Sequence, residues 1–128
     1  MSEKMLIVHT DAAPRAIGPY SQATVSAGLV FVSGQIPLDP ATGELVAGEF
    51  AQQARRALDN IDAVLKAAGC GRTSVVKATA YLTDLKRFAE FNEIYAAFFG
   101  EHRPARAVVG VSALQRGAQV EVEAVAVR

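Results

Sequence analysis

The sequence predicts an α+β fold, a mixed β-sheet with two α-helices laid on one of its faces. Three observations predict it. Residues 50–68 and 85–99 repeat apolar side chains at three- and four-residue spacing, as two amphipathic helices do. The segments around them alternate apolar and polar residues, as half-buried strands do, and glycine or proline marks most boundaries between them. The 128-residue length suits one domain over 1–128. A chain of this size buries roughly two-thirds of its unfolded surface.

Residues 5–9, MLIVH, read as a short first strand. Pro14, Gly18 and Pro19 then break any regular element, so the segment around them is a loop. ATVSAGLVFVSGQIP reads as a hairpin turning at Ala27-Gly28, and Asp39, Pro40 and Gly43 build the next turn. Phe50, Ala54, Ala57, Leu58, Ile61, Val64, Leu65 and Ala68 form the buried stripe of the first helix, which Gly69 stops. TSVVKATAYLTD alternates as a strand, with Val76, Ala78, Ala80 and Leu82 inward. Asp84 is the expected N-cap of the second helix, whose stripe is Phe88, Phe91, Tyr95, Phe98 and Phe99 and whose end is Gly100. RPARAVVGV and QVEVEAVAV read as a closing hairpin, with Gly117 in its turn. The second sheet face then carries Phe31, Ser33, Val75, Tyr81, Arg106, Val108 and Val125. So apolar a face predicts a homo-oligomer.

Composition narrows the function. Hydrophobic residues make up 51% and charged residues 20%, which excludes disorder. Thirteen basic and thirteen acidic residues cancel, leaving no charge footprint for nucleic acid or an anionic membrane. The one cysteine, Cys70, and the absence of a long apolar run fit a cytoplasmic protein. AAGCGRTS lacks the glycine-lysine pair of a phosphate loop and follows a helix, so it reads as a helix stop. Cys70, His9 and His102 have no spacing that argues for a metal, and a thiol beside a capping glycine is more often a loop residue than a nucleophile.

Arg106, Glu121 and Glu123 remain. With the last turn centred between Gln115 and Arg116, alternation puts all three on one sheet face; a slip of one residue reverses this. A cross-strand salt bridge explains the same charges. The apolar company of Arg106 favours an anionic partner, because a guanidinium on such a face is costly unless something negative meets it.

The blocks AIGPYSQA, FVSGQIPLDPATGELV, ALDNIDAVLKAAG, VVKATAYLTDLKRFAEFNEIYAAFF, PAR and VEVEAVAV resemble the Rid family, also called the YjgF family, over nearly the whole chain. The resemblance implies a chorismate-mutase-like fold and a homotrimer whose sheets face the threefold axis, with clefts between subunits. Similarity to the RidA subgroup implies hydrolysis of 2-imino acids and their enamine tautomers to 2-keto acids and ammonia, without cofactor or metal, protecting pyridoxal-phosphate enzymes. An endoribonuclease or translation inhibitor, and a carboxylate-binding trimer without catalysis, are the alternatives. By motif, Arg106 of PAR would grip the substrate carboxylate and Glu121 would position the attacking water. Tyr20, Ser33, Gly34, Asn92 and Val108 would line the cleft. This chain departs from the family at Ala107-Val108, where serine and cysteine often follow the arginine, and in a short loop at Gly100–Arg103.

Overall fold

Alternation and helical spacing resolve, in the computed structural model, into six strands and two helices; residues 4–128 are described. The strands are β1 (Leu6–Val8), β2 (Ala23–Ser26), β3 (Leu29–Gln35), β4 (Val75–Leu82), β5 (Ala105–Gly110) and β6 (Val120–Val127). The helices are α1 (Phe50–Ala67) and α2 (Phe88–Phe99). The sheet order is β1-β2-β3-β6-β4-β5, antiparallel throughout except for the parallel pair β4–β5. This is the α+β architecture expected, and no helix among the described residues is long and apolar enough to cross a membrane.

Local signals explain most elements. Ala27 and Gly28 both take positive φ, 52° and 77°, as a two-residue hairpin turn requires, and Ser26 pairs with Leu29 across it. All eight residues of the expected α1 stripe are buried. The first turn of α1 is closed by Gln52, whose Oε1 accepts from the Glu49 amide at 2.7 Å. Gly69, at φ 83°, ends it, and the Cys70 amide bonds back to the Leu65 carbonyl. Asp84 caps a short 3-10 turn, Leu85–Arg87, through the Lys86 amide, and α2 begins behind that turn. Phe91, Tyr95 and Phe99 of α2 are buried; Phe98 is half-buried and Phe88 exposed, so the stripe is narrower than its spacing suggests.

Three expectations are corrected. The last two strands form no hairpin: β5 runs parallel beside β4, and β6 inserts between β3 and β4. Burial decides the exchange. Val120, Val122, Ala124 and Ala126 fill one whole face of β6, so this strand gains most at the centre beneath α1. The arginine-bearing β5 is left at the edge. Second, Val75 lies in the core and Val76 points outward, because the ladder slips between Val75 and Lys77. Third, Arg106 and Val108 leave the open face. Arg106 aligns with Ala78 and Val108 with Ala80, both core-facing, so these side chains point to the helical side. The open face keeps Phe31, Tyr81 and Val125, with Thr79, Glu121, Glu123 and Val109.

Ile61 sits on the buried face of α1 at 1% exposure. Ile61→Ala should lower the unfolding free energy by about 2–5 kcal/mol, read from a denaturant midpoint shift at unchanged slope.

Candidate functional site

Chemistry-bearing residues collect in two places on the chain. The first surrounds Glu121, on the open face of β6. Gly34 on β3 makes room for it: a Cβ at Gly34 would stand 2.6 Å from Glu121 Oε2, so any larger residue would push the carboxylate aside. Tyr20, Ile17, Gln35 and Arg116 line the same small cleft as Gly34 and Glu121. Ser33 takes a different part. Its hydroxyl donates to the Ser21 carbonyl at 2.5 Å, and its amide bonds the Gln22 carbonyl, fastening the Tyr20 loop to β3. Gln22 secures the other end of that loop, accepting from the Thr10 amide and donating to the Thr10 and Pro14 carbonyls.

The two glutamates of β6 are not equivalent. Glu123 accepts a 2.7 Å hydrogen bond from the Tyr81 hydroxyl, and that bond raises the Tyr81 pKa. Among the described residues nothing bonds the Glu121 carboxylate. Burial, with the negative charge of Glu123 nearby, lifts the Glu121 pKa above 4.5. A carboxylate so placed is a competent base for a water near it.

The second place is the edge of β5 under α2. Asn92 Oδ1 accepts from Arg106 at 2.8 Å, and the guanidinium lies 4.8 Å from the Tyr95 ring centroid and 5.8 Å from that of Phe88. No carboxylate pairs with Arg106 among the described residues. A hollow of ≈ 310 Å³ opens here, lined by Asn92, Tyr95, Ala96, Arg103, Pro104 and Arg106. The Tyr95 hydroxyl is buried without a hydrogen-bond partner, which costs roughly 1–3 kcal/mol if nothing meets it. Val108 does not line this hollow; its side chain packs against the core.

Within one chain the two places stay apart. Arg106 aligns through Ala78 with Ala124, whereas Glu121 aligns through Tyr81 with Val109. That separates them by two strands and three residues, about 10 Å in each direction, on opposite faces of the sheet. The expected Arg106–Glu121 cross-strand neighbourhood, and with it a salt bridge between them, is therefore absent from the single chain. Tyr95 is in the core as its spacing predicts and also lies under Arg106, and Arg103, expected only within a short loop reshaping the cleft rim, lines the hollow itself. Both were signalled: Tyr95 lies one turn beyond Asn92 on α2, and Arg103 opens the RPAR stretch. Cys70 donates its thiol to the Leu65 carbonyl and burial raises its pKa, which opposes thiolate chemistry. His9 faces Asp11 and His102 bonds the Val75 carbonyl.

A strand-borne glutamate, a loop tyrosine and an edge arginine on this fold define a class. Residues 10–128 match the sequence pattern of the endoribonuclease L-PSP family, and the chain belongs to that family, the Rid (YjgF) family. It is similar to protein DfrA of Myxococcus xanthus, 55% identical over 94% of this chain and 93% of that one. It is likewise 48% identical to human 2-iminobutanoate/2-iminopropanoate deaminase, over 95% of this chain and 89% of the relative. Among solved structures, E. coli TdcF with bound serine superposes with a TM-score of 0.90 at 45% identity, covering 95% of this chain and 98% of that one.

Raising the Glu121 pKa makes the folded state hold a proton to higher pH than the unfolded state does. The stability linked to that proton is fully present below pH 4.5 and is lost as pH rises through the raised value. Glu121→Gln should therefore lose less stability than the parent between pH 4.5 and about 7, measured as the difference in melting temperature between those two conditions.

Proposed function

We infer that this protein hydrolyses 2-imino acids to 2-keto acids and ammonia at a site shared between two copies of the chain. The observation that carries the reading is the division of charge: an unpaired, desolvated Glu121 in one place, and an Arg106 with no carboxylate in another. Each lacks what the other has. The open sheet face, with Phe31, Val109 and Val127 exposed on it, gives a second copy a reason to pack there. A closed ring of three chains repeats one such heterologous contact. Similarity to a deaminase and to a protein solved with serine, itself a small carboxylate, supports the chemistry.

The roles follow from the residue types. Arg106, oriented by Asn92, presents a planar fork to the substrate carboxylate and fixes the imine carbon. Glu121 of the neighbouring copy orients a water and takes its proton as the oxygen attacks that carbon. The carbon–oxygen bond forms as the C=N π pair moves to nitrogen. Returning that proton to nitrogen gives the carbinolamine; Glu121 then takes the hydroxyl proton and passes it to the amine nitrogen as the C–N bond breaks, leaving ketone and ammonia. Tyr20 and Gly34 line the water's side of the cleft. Orientation and a carboxylate that relays a proton in each of the two steps are sufficient for so labile a bond, so these side chains need no cofactor. Chemistry on freely diffusing imino acids belongs with the cytoplasmic enzymes that release them.

The test generates an imino acid in situ with an amino-acid oxidase and follows its decay with this protein present, beside an RNA digestion. Accelerated decay with intact RNA supports the reading; cleaved RNA with unchanged imine decay overturns it in favour of a ribonuclease. Glu121→Gln should retain binding of 2-oxobutanoate and lose turnover. Arg106→Lys, which keeps the charge and loses the fork, should fall about a hundredfold in kcat/KM, as a misplacement of about 1 Å does. Undiminished activity in folded Arg106→Lys would return that arginine to structure.

A further inference from the structure

The hollow beside Arg106 holds more positive charge than one carboxylate needs. Two guanidiniums, Arg103 and Arg106, line it, and no acidic side chain does. Arg106 spends one donor on the neutral Asn92 amide oxygen. Arg103 is exposed and donates to the Gly100 and His102 carbonyls, which hold the side chain against its own loop without neutralising it. An exposed arginine is ordinarily just solvated. Here a second observation points inward: the Tyr95 hydroxyl, in a residue only 7% exposed, has no partner. Both arginines are close enough to that phenol to pull its pKa down against the upward push of burial. The hollow's ≈ 310 Å³ is at the lower end of the roughly 300–1,000 Å³ range of ligand pockets, which suits a small molecule.

We propose that Arg103 is a specificity-determining residue that selects 2-imino acids bearing a second, side-chain carboxylate, the α-carboxylate lying on Arg106 and the distal one on Arg103. Tyr95 donates its hydroxyl proton to the carboxylate held by Arg106, which lies over its ring. The proposal rests on the imine-hydrolase reading for the reaction and on the hollow alone for the preference. A monocarboxylic substrate leaves the Arg103 charge unmet, whereas a dicarboxylate satisfies both forks, and charge-assisted bidentate pairs are the stronger kind of hydrogen bond.

The experiment measures binding of 2-oxoglutarate and 2-oxobutanoate to the full-length protein by calorimetry, and in parallel the hydrolysis of the imines made from glutamate and from 2-aminobutanoate. The parent should bind 2-oxoglutarate at least about tenfold more tightly than 2-oxobutanoate, the order of a charge-assisted pair. Arg103→Gln should collapse that ratio towards unity, and Arg103→Lys should keep part of it. Equal affinities in the parent, or a ratio untouched by Arg103→Gln, overturn the proposal, as does failure to bind either acid. Imine hydrolysis without dicarboxylate preference sinks this inference and leaves the deaminase reading standing. An Arg103-dependent preference without hydrolysis of either imine does the reverse.

Discussion

The placement of β6 between β3 and β4 is the constraint on which the other features depend. One face of this strand is wholly apolar and buried beneath α1. Pairing on both edges satisfies its backbone, which a strand in the middle of a core requires. Alternation then forces Glu121 and Glu123 onto the opposite face. The same pressure that buries Val120 and Val122 thus presents the carboxylates. The ladder also sets what surrounds them: Tyr81 stands across from Glu121 and reaches diagonally to Glu123, while Gly34 leaves Glu121 its space. One glutamate is occupied, and the other is free.

Inserting β6 has a second consequence. It pushes β4 outward, and β5 becomes the edge strand, with Arg106 turned to the helical side beneath α2. Glu121 and Arg106, which are close in sequence, end up on opposite faces. Either could serve alone as a binding feature, but hydrolysis of a carboxylate-bearing imine needs both within reach of one carbon. The proposed association of copies through the open face answers that need with the apolar surface the fold leaves uncovered. Exposed hydrophobic surface and divided chemistry then have a common explanation.

Much of this was legible in the sequence. The α1 stripe is read correctly residue by residue, because helical periodicity over eighteen residues is a strong signal with glycine at its end. The Ala27-Gly28 turn is equally local. Pairing was not legible for β5 and β6. A short connection suggests a hairpin, and only the competition for the site beneath α1, a property of the whole chain, sends β6 elsewhere. That error carried Arg106 to the wrong face, and with it the expected closeness to Glu121. The bulge at Val76 likewise inverted one residue pair that alternation alone assigns the other way. Of the candidate cleft residues, Tyr20, Gly34 and Glu121 come together, Asn92 and Arg106 come together elsewhere, Ser33 fastens a loop and Val108 joins the core. Motif order carries no information about which side of a sheet a residue will occupy.

The claim that one site is divided between two chains is tested most directly by mixing two inactive variants. Arg106→Ala and Glu121→Gln proteins would be unfolded together, refolded as a mixture and assayed for imine hydrolysis against each variant refolded alone. If every site takes its arginine from one chain and its glutamate from the next, random assembly of equal amounts restores about a quarter of parental activity, since each contributor is intact in half of the cases. A site completed within a single chain would leave the mixture as inactive as its components, and that result would contradict the account.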